Sequence, residues 1–308
     1  FDPAGEPAAL VLDITWLLVG ICGAIGVVVL AIIAFSLARC RAIPGDDREP
    51  AQVYGSNPIE LAWTVIPLLI VFVLFMVSAR GIFELERTTP PEGAIEVTVV
   101  GHRWWWEFDY GDLGVITAGE LHVPYDEGKP TDIYLTLESA DVAHSFWVPQ
   151  LGPKMDVIPD RINHLWLQAN RPGTFVGQCA EYCGNQHANM LITVVVEPRE
   201  DFEKWLSNQQ RPAVEDPSVA EGRRLFLRTS CINCHTVRGT VANGTFAPDL
   251  THLMSRNVIG SGVVRNTHDN LREWVWDPQN IKPGCEMPSM KLTREEVDLV
   301  CDYLETLK

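Results

Sequence analysis

Two apolar runs near the N-terminus restrict the fold of this 308-residue chain more than any other feature. Ile14 to Ala38 is 25 residues long, with Ser36 the single hydroxyl of its inner half. A helix of that length crosses a bilayer. Leu61 to Ala79 adds 19 more and stops at Arg80. Pro67 lies inside it, which a membrane helix tolerates when neighbours satisfy the freed carbonyl. A buried soluble hairpin is the alternative, and the length of both runs speaks against it. Arg39, Arg41 and Arg48 stand between the runs, whereas the first thirteen residues hold no Lys or Arg. Positive-inside bias therefore puts the 39–60 loop in the cytoplasm and both ends of the chain outside. The chain starts at Phe1, which reads as an N-terminus left by removal of a secretory signal.

The formal charge of −16 is unevenly placed. Residues 81–216 hold 9 Lys/Arg against 22 Asp/Glu, while residues 217–308 hold 11 of each. An acidic field of that kind repels nucleic acid and favours basic partners. From Ala94 the pattern turns to short β-branched runs at 95–99, 131–137, 161–167 and 191–196, punctuated by Gly, Pro, Asp and Asn. They predict an all-β sandwich or barrel of about a hundred residues. Residues 200–208 read as a short helix, and the polar, proline-bounded stretch 209–217 as an extended tether.

Within 179–190 stand Cys179, Cys183, His187 and Met190, and His144 lies 35 residues before the first cysteine. One thiolate with His, Met and a second His is a blue-copper ligand set. With the thiolate doubled, two bridging sulfurs can hold two copper ions and spread one electron over both, which suits electron transfer. A disulfide is the competing reading in an extracytoplasmic domain; the closely placed soft ligands argue against it. Further on, Cys231-Ile232-Asn233-Cys234-His235 is the attachment signature of c-type haem. Met287 and Met290 are candidates for the sixth haem ligand, with Met254 a core residue. Cys285 and Cys301 are either bridged or two free thiols. Cys22 and Cys40 read as inert thiols of the membrane segments, and His102, His122, His164, His252 and His268 as structural or surface histidines.

The Cys-x3-Cys-x3-His-x2-Met cluster with His144 resembles the binuclear copper A centre of cytochrome c oxidase subunit II. With the haem motif behind it, the whole chain resembles the caa type, in which a cytochrome c domain is fused to the C-terminus. The resemblance implies a multidomain chain: a two-helix transmembrane hairpin (1–90), an all-β cupredoxin-like Greek-key domain (91–199), a short helix and linker (200–216) and an all-α class I cytochrome c domain (217–308). It implies His144, Cys179, Cys183, His187 and Met190 as copper ligands, with Glu181 through its carbonyl. Glu181 and Asp156 would hold magnesium with subunit I. Cys231, Cys234, His235 and Met287 would bind haem c, the Met287-Pro288 pair matching the ligand loop. Trp104 and Trp106 would carry electrons. Glu60, otherwise an ordinary first-turn acid, would lie at the mouth of a proton-uptake path. First and last helices would cross in the cytochrome domain at Gly222, and Pro248 would accept from His235. The implied partners are subunit I with haem a and copper B, subunit III, an external donor such as a quinol-oxidising complex or small cytochrome, and membrane lipid. The implied location is the bacterial inner membrane, with the redox domains on the periplasmic side. A copper A-type nitric oxide reductase subunit and a membrane-anchored copper-delivery protein are the rival readings. Glu60 and the Glu181/Asp156 pair favour the oxidase over the first, and the haem motif argues against the second.

Overall fold

The computed structural model describes residues 2–41, 45, 49, 52–87 and 89–308. Arg48 and most of the loop between the apolar runs lie outside these. The chain divides into two compact units: Leu10–Glu86, and Arg87–Lys308 with the segment ending at Ala9.

Both apolar runs are helical and overrun their apolar cores. Helix α1 covers Glu6–Arg39 and α2 covers Asn57–Leu85. At 34 and 29 residues each exceeds what a bilayer needs. They are apolar all round rather than on one stripe, as a lipid-facing helix must be, and Val27, Phe35 and Leu68 are more than 60% exposed. Ile14 and Leu10 of α1 lie against Gly81 of α2.

The β region is a sandwich of ten strands in two five-stranded sheets. One sheet takes the order β3(Ile116–Ala118), β2(Trp105–Asp109), β1(Ile95–His102), β5(Thr131–Ser139), β8(Asn163–Ala169). The other runs β4(Glu120–Tyr125), β10(Leu191–Pro198), β9(Gly173–Cys179), β6(His144–Trp147), β7(Met155–Val157). The pairs β1–β5 and β10–β4 are parallel, so consecutive strands cross between the sheets in a cupredoxin-like arrangement. Alternation on β1 and β9 buries every second residue. Trp106, Phe108, Phe146, Leu135 and Met190 fill the space between the sheets, all fully buried. Strand β4 has no alternation, because its residues are buried on both faces, and sequence pattern passed over it.

Helix α3(Arg199–Gln209) leads into the stretch expected to be an extended tether. The structure instead lays that stretch against the C-terminal domain. Gln209 is 2% exposed and its amide donates to Ser255 Oγ at 2.9 Å. Arg211 O accepts from His252 Nε2 at 2.9 Å, and Ala213 N–H donates to Arg238 O at 2.9 Å. Polar composition resembles solvation in the sequence, but here the partners of those polar groups are protein.

The C-terminal domain is helical: α4(Ala220–Arg228), α5(Cys231–Cys234), α6(His268–Trp276), α7(Pro278–Ile281) and α8(Arg294–Leu304), with a small hairpin of β11(Val258–Ile259) and β12(Val264–Arg265). Amphipathic α4 and α8 cross as expected. A Cβ at Gly222 would lie 1.8 Å from Leu299 O, so only glycine permits this approach. Helix α8 opens with a Thr293–Glu296 capping box. It stops at Leu304, and the last turn folds Leu307 into the core, fully buried. Cys285 and Cys301 are free thiols.

Candidate functional site

Strand pairing brings distant residues to one end of the sandwich. Cys179 ends β9 and lies opposite Phe146, so His144, opening β6, comes beside it. The turn back into β10 carries Glu181, Cys183, His187 and Met190, and Cys179 N–H closes it on Met190 O at 3.0 Å. Cys179 Sγ stands 3.8 Å from Cys183 Sγ, 4.0 Å from His144 Nδ1 and 3.1 Å from Glu181 O. Cys183 Sγ stands 3.7 Å from His187 Nδ1 and 3.8 Å from Met190 Sδ. Both thiols, His144 and Met190 are buried.

These are soft sulfur and imidazole donors converging on one buried space, a set that fits copper and does not fit hard cations. The thiols behave as a coupled pair. The hydrogen bond from Cys183 holds the Cys179 thiol well below the ordinary thiol range, against burial. The same neighbour pushes Cys183 up, with burial acting in the same sense. Asp141, which the sequence reading passed over, sets the tautomer of His144. Its carboxylate can only accept, so His144 Nε2, 2.9 Å away, carries the proton and Nδ1 presents its lone pair to the sulfurs. Burial opposes charge on His144, but Asp141 and Cys179 outweigh it and raise its pKa.

The three tryptophans do not alternate along one strand. A turn at 103–104 separates β1 from β2, and Trp104 sits in it. Its indole N–H donates to Cys183 O at 2.9 Å. Trp106, in β2, meets His144 edge-on at 5.8 Å between ring centroids. The pair thus touches two different members of the cluster.

In the C-terminal domain, Cys231, Cys234, His235, Met287 and Met290 line a cavity of about 450 Å³. His235 Nδ1 lies 2.7 Å from Pro248 O, which leaves Nε2 free to bind a metal. Gln279 Nε2 donates to Met287 O at 3.1 Å and Cys285 O at 3.0 Å, fixing the loop. Met254 is absent from the wall and packs in the core instead. Part of the wall belongs to the sandwich: Arg103, Trp104, Trp105 and Gly119 face the cavity. A flat apolar macrocycle fits such a space, with paired thiols and an imidazole on one side and thioethers also on the wall.

Two family models match the chain: "Cytochrome C oxidase subunit II, periplasmic domain" over residues 123–197 and "Cytochrome c" over residues 219–308. Cytochrome c oxidase subunit 2 of Alkalihalophilus pseudofirmus is 37% identical, covering 100% of this chain and 90% of that protein. The chain belongs to the cytochrome c oxidase subunit 2 family. The Bacillus subtilis protein of the same name is 33% identical over 99% of this chain and 90% of its own length. The crystal structure of the periplasmic domain of subunit II of cytochrome oxidase from Bradyrhizobium japonicum is 29% identical, covers 40% of this chain and 97% of its own, and has a TM-score of 0.37. As a cytochrome c oxidase subunit 2 with a cytochrome c domain, the chain is a membrane-anchored electron-transfer subunit of a haem-copper oxidase, assembled with subunit I. Its two domains imply copper and haem c.

The remaining expected residues of this subunit 2 fall as follows. Asp156, in β7, is exposed and lies across from Ser145, whose carbonyl accepts from Ala180 N–H at 2.9 Å. The Glu181 side chain is exposed. Glu60 accepts from the Ser56 N–H at 3.2 Å, satisfying a donor at the start of α2. Two further residues were not singled out in the sequence. Glu120, fully buried, accepts from the N–H groups of Asn257 at 2.7 Å and Val258 at 2.9 Å. Lys282 is 2% exposed. Both join the sandwich to the haem-motif domain over separations of more than 130 residues, which no local motif reveals.

Proposed function

We propose that this chain is the electron-accepting subunit of a caa-type terminal oxidase. It relays electrons from an external donor, by way of haem c and a binuclear copper A centre, to haem a in subunit I, for oxygen reduction coupled to proton pumping. The observation that carries this reading is Trp104. It lines the cavity holding the Cys-x-x-Cys-His motif, and its indole N–H bonds the carbonyl of Cys183. One residue therefore faces the haem-motif cavity and bonds the copper-side loop.

In this reading His144, Cys179, Cys183, His187 and Met190, with the Glu181 carbonyl, hold copper. Cys231 and Cys234 tether haem, and His235 and Met287 ligate it. The bound groups supply one-electron exchange at low reorganisation cost. The chain's own residues supply the rest. Asp141 and Pro248 hold the tautomers of His144 and His235. The sandwich core excludes water from the sulfurs, and Trp104 and Trp106 place aromatic rings against the cluster. Exposed Glu181 and Asp156 are offered to subunit I as magnesium ligands. The position of Glu60 in the first turn of α2 is compatible with a proton-uptake role beside its capping bond. Arg39 and Arg41 favour an inner-membrane hairpin with the redox domains on the periplasmic side. Subunit III and a quinol-oxidising complex or small cytochrome complete the assembly.

The test is a visible and spin-resonance spectrum of the oxidised complex, with metal analysis. A mixed-valence copper pair together with a His/Met haem is expected. A single copper per subunit, or a bond between the Cys179 and Cys183 sulfurs, would overturn the relay. Nitric oxide turnover in place of oxygen uptake would assign the complex to the reductases.

A further inference from the structure

Lys282 is almost wholly buried, yet no carboxylate pairs with it among the described residues. Its Nζ donates instead to three main-chain carbonyls: Trp104 O at 2.7 Å, Asn189 O at 2.8 Å and Gly260 O at 2.9 Å. An ammonium has three N–H groups, and all three are used. Although Lys282 faces the cavity, it has no donor left for a bound molecule. Burial pulls its pKa down to about 7, and the three carbonyls are what favour the charged form against that; a costly amine that serves only to join backbones is a fastening.

What it fastens is specific. Trp104 also holds Cys183 O through its indole, and Asn189 immediately precedes Met190. Gly260 lies in the turn between β11 and β12 on the cavity's own domain. Lys282 itself begins the segment that runs to Met287. Gln186 Nε2 donates to Pro283 O at 2.5 Å, and Arg103 pairs with Glu286 at 3.0 Å, along the same segment. The rim pair Arg103–Glu286 is solvent-exposed and therefore weak. Lys282, at 2% exposed, is the most deeply buried side chain of this set.

We propose that Lys282 is a positioning residue for electron transfer within this subunit, pinning the Met287-bearing loop to the Trp104 turn and to the carbonyl before Met190. The inference rests on the relay reading above. It makes the docked geometry of the two redox modules a built-in feature of the chain, with Lys282 the side chain that ties the Met287 segment to the copper side, and not the product of a swinging tether.

The experiment uses the purified oxidase complex and its Lys282→Met variant. A photoexcited ruthenium dye injects electrons, and haem and copper absorbance are followed in time. The expected result is a haem-to-copper rate slowed by about tenfold or more, as small displacements of reacting groups produce. Copper content, haem content, both static spectra and the onward rate from copper should stay as in the parent. A destabilised but correctly docked subunit would not separate the two rates. A haem-to-copper rate within about twofold of the parent, with both spectra intact, overturns the proposal. Should Lys282→Met lose either centre, Lys282→Gln, which keeps two N–H donors, is read in the same way. Loss of a centre in both variants makes Lys282 a folding residue and also overturns the proposal. Absence of either spectrum from the parent complex instead sinks the relay reading itself.

Discussion

Replacing Asp141 by asparagine tests how the copper-side histidine is held. One carboxylate oxygen accepts from His144 Nε2 at 2.9 Å and from Val142 N–H at 2.6 Å; the other accepts from Arg103 N–H at 2.8 Å. Asparagine has the same shape but one oxygen only. If its NH2 faces His144 it also faces Val142, and two donors oppose it. The amide therefore turns the NH2 toward Arg103, losing that bond at a cost of about 1–3 kcal/mol. The surviving bond to His144 goes to a neutral acceptor and is about half as strong. Loss of such support for a metal-binding histidine weakens metal affinity about 10–100-fold, or roughly 1.4–2.7 kcal/mol. The assay is copper release from the complex to a competing chelator, with metal analysis at each step. Asp141→Ala, which removes every acceptor, should release copper more readily still. Affinity of the Asn variant within about threefold of the parent would refute the idea that Asp141 orients Nδ1 of His144 toward the sulfurs.

Gly222→Ala should destabilise the haem-motif domain by about 3 kcal/mol, because its Cβ would meet the fixed Leu299 carbonyl at 1.8 Å; thermal unfolding followed at the haem band measures this, and an unchanged midpoint refutes it. Met287→Ala should open the haem to carbon monoxide while Met290→Ala should not; the reverse result moves the ligand to Met290. His122 stacks on Trp205 and is raised above its ordinary 6.5 by Glu120 and Glu197, which outweigh burial. A raised folded-state value means its contribution is complete below 6.5 and fades as pH climbs through the raised value. Glu197→Gln should flatten that decline in thermal stability, and an undiminished slope would exclude His122 as its source.

Much of the site was legible because its chemistry is local. Cys179 to Met190 and Cys231 to His235 are short runs whose residue types point to one chemistry each, and the structure brings each run's side chains together. The long apolar helices and the α4–α8 crossing at Gly222 were legible for a similar reason: composition and period act within one segment. The misreadings share a different cause. The turn that holds Trp104 is set by β1–β2 pairing, which the aromatic run 104–106 does not signal. The 209–217 stretch looked solvated because its partners, Ser255, Arg238 and His252, come from elsewhere in the chain. Asp141 is three residues from His144, yet an acid near a histidine carries no signal until the backbone aims it. Lys282 acts on main-chain groups, which every residue possesses, and Glu120 reaches across to two such groups in a distant loop, so no local motif reveals the junction.

The acceptors of Lys282 are carbonyls of Trp104, Asn189 and Gly260, not side chains. Substitution at any of those three positions leaves the acceptor in place so long as the backbone keeps its course. Divergence at Asn189 can then leave this junction intact, whereas Trp104 and Gly260 answer to other demands, the indole bond to Cys183 O and a left-handed backbone, and position 282 carries the side-chain risk. A loss there has no second-site remedy of the simple charge-swapping kind, since there is no opposite charge to swap.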